Sequence, residues 1–549
     1  MVTKIKTHLN SLFLQFPPLM WLKLRLKYRL RLKNTLQRQL RFVHNDTSEK
    51  QAVKYRKILL IQNETQHYQM YQMFILCKAL EMRGCEIKIL VCNSYFDGCE
   101  TKNAQNYKMK DPCLNCRFNL TYVLPAFELP LVEPADFISP AERKELREKA
   151  VLISQIYPSQ YTYKDIDIIP MTNDSVERFF FGDVTSNEAL LAEVRKNHLT
   201  TSMMGIEIAE RLHEQYHPDI VLNTMYVYSV AEPYYRYFKK NGVQLTTITI
   251  TPADYYGIMI NMMDLYKGQS RFSRYVRFRG NGKLDDNELK ALKDLVNARF
   301  RGETDMFNGF GYFGGNENIR ERITIDENKR NIFLFSNVLW DIGELGVLFP
   351  GIAEWVLQTI EMIKDKDNIH LYIKPHPGEK YDSLSSLKGI EDIIREKYPE
   401  MPENVTIIRP ELKIKPYDFF QYIDLGVVFY GTLGLEMLLH DIPVLLAANP
   451  PYSGMGVAYE PKTLEEYKKI LLGEVEHMKP DKDLIQLFAY FYFLRSTIPW
   501  NLTKQAYDDC RFEGFMFNSL DDITPGKNKY LDHICNCILN PQNTVIEGW

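Results

Sequence analysis

Cysteine is scarce, with nine residues in 549. That is too few for a fold stapled by disulfides, the device of small secreted domains that cannot build a large core. Long apolar runs are missing as well. Charge or proline interrupts every hydrophobic stretch well short of the ~20 residues that a bilayer-spanning helix needs. Net charge is small, −3 at pH 7. A globally basic nucleic-acid binder is thereby excluded. No stretch reads as a secretory leader: SLFLQFPPLMWL contains Pro17 and Pro18 and runs straight into basic sequence. A cytoplasmic, reducing setting is the expectation, possible also at the inner face of a cell membrane.

Acidic residues are absent from positions 1–45, which carry ten Lys or Arg. LKLRLKYRLRLK (Leu22 to Lys33) alternates apolar and basic. The period suits a strand, whereas Leu, Lys and Arg are good helix formers. The conformation stays open. So does the role: an arm docked on an anionic membrane surface, a solvated tail or packed strand, or an organellar transit segment.

What is present is an α/β pattern, twice. At about 100–200 residues per domain, the length calls for two or three domains. KILLIQ is a buried-strand run, and Met70, Met73, Phe74, Cys77 and Leu80 then recur at helical spacing before Gly84 and the strand EIKILVC. DIVLNT, VAEPYYRYFKKNG and QLTTITIT continue as strand, helix and strand. Near residue 328 the pattern restarts with RNIFLFSN, a helix behind Pro350, IHLYIKPHP, VTIIRP, DLGVVFYG, GLEMLLHD and PVLLAA. The expected architecture is α/β, with two tandem Rossmann-like domains around a central cleft. Its parts are a basic arm (1–50), a first domain (51–270), a helical linker (271–327), a second domain (328–470) and a helical tail (471–549).

Ligands of open α/β sheets sit beyond the carboxyl ends of the strands. In the second domain those positions are Ser336 and Asn337, Lys374 to Pro377, Arg409, Gly431 to Glu436, and Asn449 to Gly456. Gly431 and Gly434 let backbone approach a ligand, Thr432 is placed to cap the following helix, and that helix's free N–H groups would face an anion. Glu436 either accepts hydrogen bonds from ribose hydroxyls or supports its own helix electrostatically. His376 is stiffened by proline on both sides. It reads as a donor to a phosphate, with Lys374 supplying a cation; the plain alternative is a histidine that serves only its turn.

IKPHPGEKYDS, FSNVLWD, FAYFYFLRSTIPW and YGTLGLEMLLHDIPVLLAANPPYSGMGVAYEPKTLEEY resemble blocks of the capsule polysaccharide biosynthesis proteins, bacterial Kdo transferases among them. NETQHYQMYQMFILCKALEMRGCEIKIL resembles them more loosely. The likeness covers roughly residues 55–505 and is thin between 120 and 325. It implies a GT-B glycosyltransferase, with a nucleotide-sugar donor (CMP-, UDP- or CDP-linked) on the second domain and a glycan or lipid-linked acceptor on the first. Such an enzyme needs no metal cofactor when protein groups neutralise the leaving phosphate. The DxD triplets Asp165/Asp167, Asp365/Asp367 and Asp481/Asp483 read as surface residues.

Sugar transfer needs a group to take the acceptor proton. Glu64 and His67, at the end of the first strand, are the candidates, with Asp97 and Asn223 behind them. Two other functions fit the same fold: a nucleotide-sugar 2-epimerase, and a non-catalytic protein that binds glycan or nucleotide within an assembly. Finally, Cys92, Cys99, Cys113 and Cys116 stand as four thiols in VCNSYFDGC and DPCLNC. Either they hold a structural zinc or they are unlinked buried cysteines.

Overall fold

A computed structural model describes residues 16–43, 56–63, 69–104, 111–182, 187–250, 257–262, 268–301, 322–340, 348–380, 386, 388–410, 412, 414–496, 498–505 and 512–540. The first unit is built on β1 (Lys57–Gln62), β2 (Glu86–Val91), β3 (Leu131–Val132), a small hairpin of β4 (Thr162–Tyr163) and β5 (Ile166–Asp167), β6 (Ile220–Asn223), β7 (Gln244–Ile250) and β8 (Gly257–Met262). The second holds β9 (Arg330–Phe335), β10 (Ile369–Lys374), β11 (Val405–Ile407), β12 (Leu425–Val428) and β13 (Val444–Leu446). β14 (Ile498–Pro499) follows in the tail.

The first sheet runs β14-β8-β7-β6-β1-β2-β3 and the second β11-β10-β9-β12-β13. The stretch β7-β6-β1-β2-β3 is parallel throughout, and β8 and β14 close its edge antiparallel. All five strands of the second sheet are parallel. Parallel strands with helices on both faces are buried on both sides. KILLIQ and RNIFLF are therefore apolar without alternation, and Ile58–Ile61 and Ile332–Phe335 are buried. This is the tandem Rossmann-like arrangement expected of a GT-B chain.

In each run of five parallel strands the first strand lies at the centre, and strand order reverses beside it. The reversal falls between β1 and β6 in the first sheet and between β9 and β12 in the second. These switch points open a crevice at the carboxyl ends, because the adjoining crossovers leave to opposite faces.

The segments outside the two sheets do not stand apart from them. Phe272, Tyr275, Leu292 and Val296, from the helices Gly268–Arg279 and Asp286–Arg301, are part of the second unit's core. In the tail, the Lys482–Tyr490 helix packs on that same core. The chain then crosses to the first sheet through β14, and Trp500, Leu502, Phe515 and Ile534 complete the first core. The basic arm is helical over Pro17–Lys27 and Lys33–Gln39, joined by a wider turn at Tyr28–Leu32. Pro17 and Pro18 occupy its first turn, where a missing N–H costs nothing. A second contact between the units joins Phe181 of the first to Val338 and Trp340 of the second. The Arg178 guanidinium stacks 4.2 Å over the Trp340 ring.

Candidate functional site

The carboxyl ends of β9, β10 and β12 are tied to one another. The Ser336 amide donates to the Lys374 carbonyl at 3.2 Å. The Asn337 Oδ1 accepts from the Tyr430 amide at 3.3 Å, across the switch point. Gly431 follows at φ +117°, a backbone conformation closed to side chains, with open space where a Cβ would stand.

Two polar side chains in this crevice are buried without a partner among the described residues. Lys374 is 4% exposed and makes no hydrogen bond or ion pair. Burial pushes its ammonium down to about 8, opposed by the charge of Asp418. The Ser336 hydroxyl is buried and unbonded as well. Asp418 offsets only part of the cost of burying this ammonium, and an incoming anion would offset more.

His376 is partly buried, and the Gly378 amide donates to its Nδ1 at 3.0 Å. That bond makes Nδ1 the acceptor and leaves the proton on Nε2. Burial, with the Lys374 charge adding to it, pulls the imidazole down to about 4. At neutral pH the ring is an uncharged Nε2–H donor. Nδ1 serves the turn, as the plain alternative has it.

Glu436 has a partner that the sequence did not suggest. Arg299, from the end of the Asp286–Arg301 helix, donates to its carboxylate from Nε at 3.0 Å and from the guanidinium tip at 2.7 Å. Both side chains are almost fully buried, at 3% and 1% exposure. Arg299 also donates to the Thr432 hydroxyl at 3.2 Å, and Tyr417 hydrogen-bonds within the same group. One expectation changes with this. Thr432 occupies the N-cap position but its side chain makes no capping bond, because Arg299 takes the hydroxyl. At Glu436 both Arg299 bonds fall on Oε1 of the carboxylate. The helix it belongs to, Leu433–Leu439, is seven residues long, so an anion site at its end has little dipole behind it. One signal for Arg299 was present in the sequence. Leu292, Val296 and Arg299 are the buried residues of their helix, at spacings of four and three, so the arginine stands on an inward stripe.

On the first unit's side, Glu64 and His67 lie outside the described residues, directly after the β1 end of the other switch point. Of the residues behind them, Asp97 is held by Arg147 Nε at 2.9 Å and by Arg143 at 2.6 Å. Burial raises its carboxyl, but the two arginines outweigh that and leave it below the ordinary value. Asn223 Oδ1 accepts from the Thr247 hydroxyl at 2.6 Å in the buried sheet. Neither is poised to take a proton.

A cleft of about 660 Å³ opens between the units, bounded by Asp165, Tyr226, Glu232, Arg236 and Lys240 of the first and by Asn449, just after β13, of the second. Four of its charges pair: Arg236 Nε donates to Glu232 at 2.6 Å and Lys240 reaches Asp165 at 3.0 Å.

The four thiols stand as follows. Among the described residues, no three of His, Cys, Asp or Glu stand together so as to hold a metal ion. Burial raises the Cys92 and Cys99 thiols. Cys99 hydrogen-bonds with the Thr101 hydroxyl at 3.2 Å, as an inert core thiol does.

No family model matches the chain, and no curated protein matches it. Among solved structures it is similar to a beta Kdo 2,4 transferase, KpsC, of Thermosulfurimonas dismutans, at 14% identity over 59% of this chain and 88% of that one, with a TM-score of 0.34. A UDP-GlcNAc 2-epimerase from Neisseria meningitidis, bound to UDP-GlcNAc, is similar at 11% identity over 79% of this chain and 97% of that one, with a TM-score of 0.23. Anabaena Alr3699/HepE, in complex with UDP and glucose, is similar at 12% identity over 80% and 95% of the two chains, with a TM-score of 0.26. The neighbours thus include both glycosyltransferases and epimerases, at identities that assign neither activity to this chain.

Proposed function

We propose that the chain is a glycosyltransferase of surface polysaccharide assembly, moving a sugar from a nucleotide-sugar donor to a glycan or lipid-linked acceptor. The observation that carries this reading is the buried, unpartnered Lys374 at the second switch point, beside the unbonded Ser336 hydroxyl and the neutral His376. A diphosphate or monophosphate supplies a direct ion pair to Lys374, which Asp418 supports only through its charge. His376 donates from Nε2 to the oxygen on which negative charge grows as the glycosidic bond breaks. Lys374 then neutralises the leaving phosphate without a metal ion. Arg299 and Glu436 hold Thr432 and the Gly431 turn in place behind the donor.

The acceptor enters the cleft beside Glu232 and Asn449, whose size suits the end of a glycan. Its hydroxyl gives up a proton to Glu64 or His67 at the first switch point. Replacing both, by Gln and Asn, abolishes turnover and spares donor binding.

The test is a thermal melt against CMP, UDP and CDP, followed by nucleotide release from the matching sugar donor. The right nucleotide raises the melting temperature in a concentration-dependent way. Release that requires an acceptor marks a transferase. Donor isomerised without net release marks an epimerase, and binding with neither outcome marks a non-catalytic protein. His376→Ala should lower turnover by about 10²–10³-fold with the fold intact; near-normal turnover would remove His376 from the mechanism.

A further inference from the structure

We propose that the N-terminal helix lies flat on an anionic bilayer, inserting a leucine stripe between flanking basic side chains. It rests on observations independent of the cleft's chemistry.

The alternating pattern, once wound into a helix, places leucines on opposite faces. One face packs on the body of the protein. Trp21 and Tyr28 meet Phe118 and Tyr122 of the Leu114–Tyr122 helix, with ring centroids 4.9–6.2 Å apart across the cluster. At the far end Leu36 and Leu40 enter the first core, and Gln39 bonds to the Phe515 and Phe517 carbonyls. The helix is therefore fixed in orientation rather than trailing in solvent.

The opposite face carries Leu19, Leu22, Leu26 and Leu30, exposed by 51%, 52%, 51% and 82%. Spacings of three, four and four put them in one row. Phe16 extends the row by another three residues and is also half exposed. Such a row, sustained over four turns, is unusual on a water-facing helix. Arg25, Lys27, Arg29 and Lys33 are exposed beside it, and residues 16–43 contain no Asp or Glu. Apolar row and basic flanks together are the pattern of an interfacial helix, whose leucines enter the acyl boundary while its cations meet phosphate and carboxylate headgroups. No helix among the described residues is long and apolar enough to cross a membrane. Charge complementarity selects the occupant: a second copy would set this basic face against an identical one.

Full-length protein is sedimented with vesicles of phosphatidylcholine alone and with 30% phosphatidylglycerol added. Binding should appear with the anionic vesicles and weaken with salt. Leu22→Gln, Leu26→Gln and Leu30→Gln together should reduce partitioning at least about tenfold. Arg25→Gln, Arg29→Gln and Lys33→Gln together should do likewise. These side chains are exposed, so the melting temperature of both variants should match the parent. Equal binding to neutral vesicles, or unchanged binding by either variant, overturns the proposal. So does a parent dimer that the leucine variant converts to monomer, since a second copy would then cover the row.

Discussion

Lys374 is the residue at which stability and function pull apart. Its ammonium is buried without a partner, so Lys374→Met should raise the melting temperature while erasing the shift produced by nucleotide. A merely structural lysine would lower stability on loss and leave nucleotide binding alone. The pH dependence has a definite sign. In the free protein the group sits near 8, and a bound phosphate raises it. Affinity is therefore fully present below about pH 8 and falls as the pH rises through 8 toward the higher value of the complex. Titration calorimetry between pH 7 and 9.5 measures it, and a flat profile would show that Lys374 does not touch the anion. Arg299 and Glu436 behave in the opposite way. Each neutralises the other in a site almost closed to water. Arg299→Met strands a buried carboxylate and should cost about 3–5 kcal/mol of stability, read from urea unfolding.

At the scale of the element, the short Leu433–Leu439 helix is set by close approach. A Cβ on Gly434 would run into the Tyr452 hydroxyl. That hydroxyl is itself buried and unbonded among the described residues. Gly434→Ala should therefore cost about 1–3 kcal/mol through overpacking. Tyr452→Phe removes the obstructing atom and should recover part of that loss, a coupling that a double-mutant cycle isolates. Additive effects would mean that the tyrosine ring, not its hydroxyl, limits the approach. The N-terminal arm shows how an element's surroundings settle what its period leaves open. A two-residue alternation is ambiguous between helix and strand. Trp21, Tyr28 and Leu36 find partners only in the helical form, because only there do they share a face.

For the whole molecule, buried histidines set the acid limit. Burial lowers His198, which bonds to the Ser229 hydroxyl at 2.7 Å, to about 3, and lowers His376 to about 4. Between those values and the ordinary histidine value near 6.5, the unfolded chain binds more protons than the native one. Stability should therefore fall as the pH drops below about 6.5, by up to about 1.4 kcal/mol per unit for each histidine. Urea midpoints from pH 7.5 to 4.5 record this; His198→Gln should flatten the curve. The tail matters at the same scale. It packs on the second core and then donates β14 to the first sheet, so the tail joins the two units.

Much of this was legible in the sequence because it depends on local pattern. Buried runs such as KILLIQ and RNIFLF specify parallel strands, and their order specifies where the crevices fall. The positions of Ser336, Lys374, His376 and Gly431 at one sheet edge follow from that. The spacing of the four cysteines says nothing of burial, and burial is what raises the Cys92 and Cys99 thiols. Only the tertiary structure could decide pairing. Arg299 is 137 positions from Glu436, and no period connects them. Which charges are cancelled, as at Glu436, and which are left waiting, as at Lys374, depends on what the folded chain brings beside them, because a charge's free energy is set by its neighbours and its access to water.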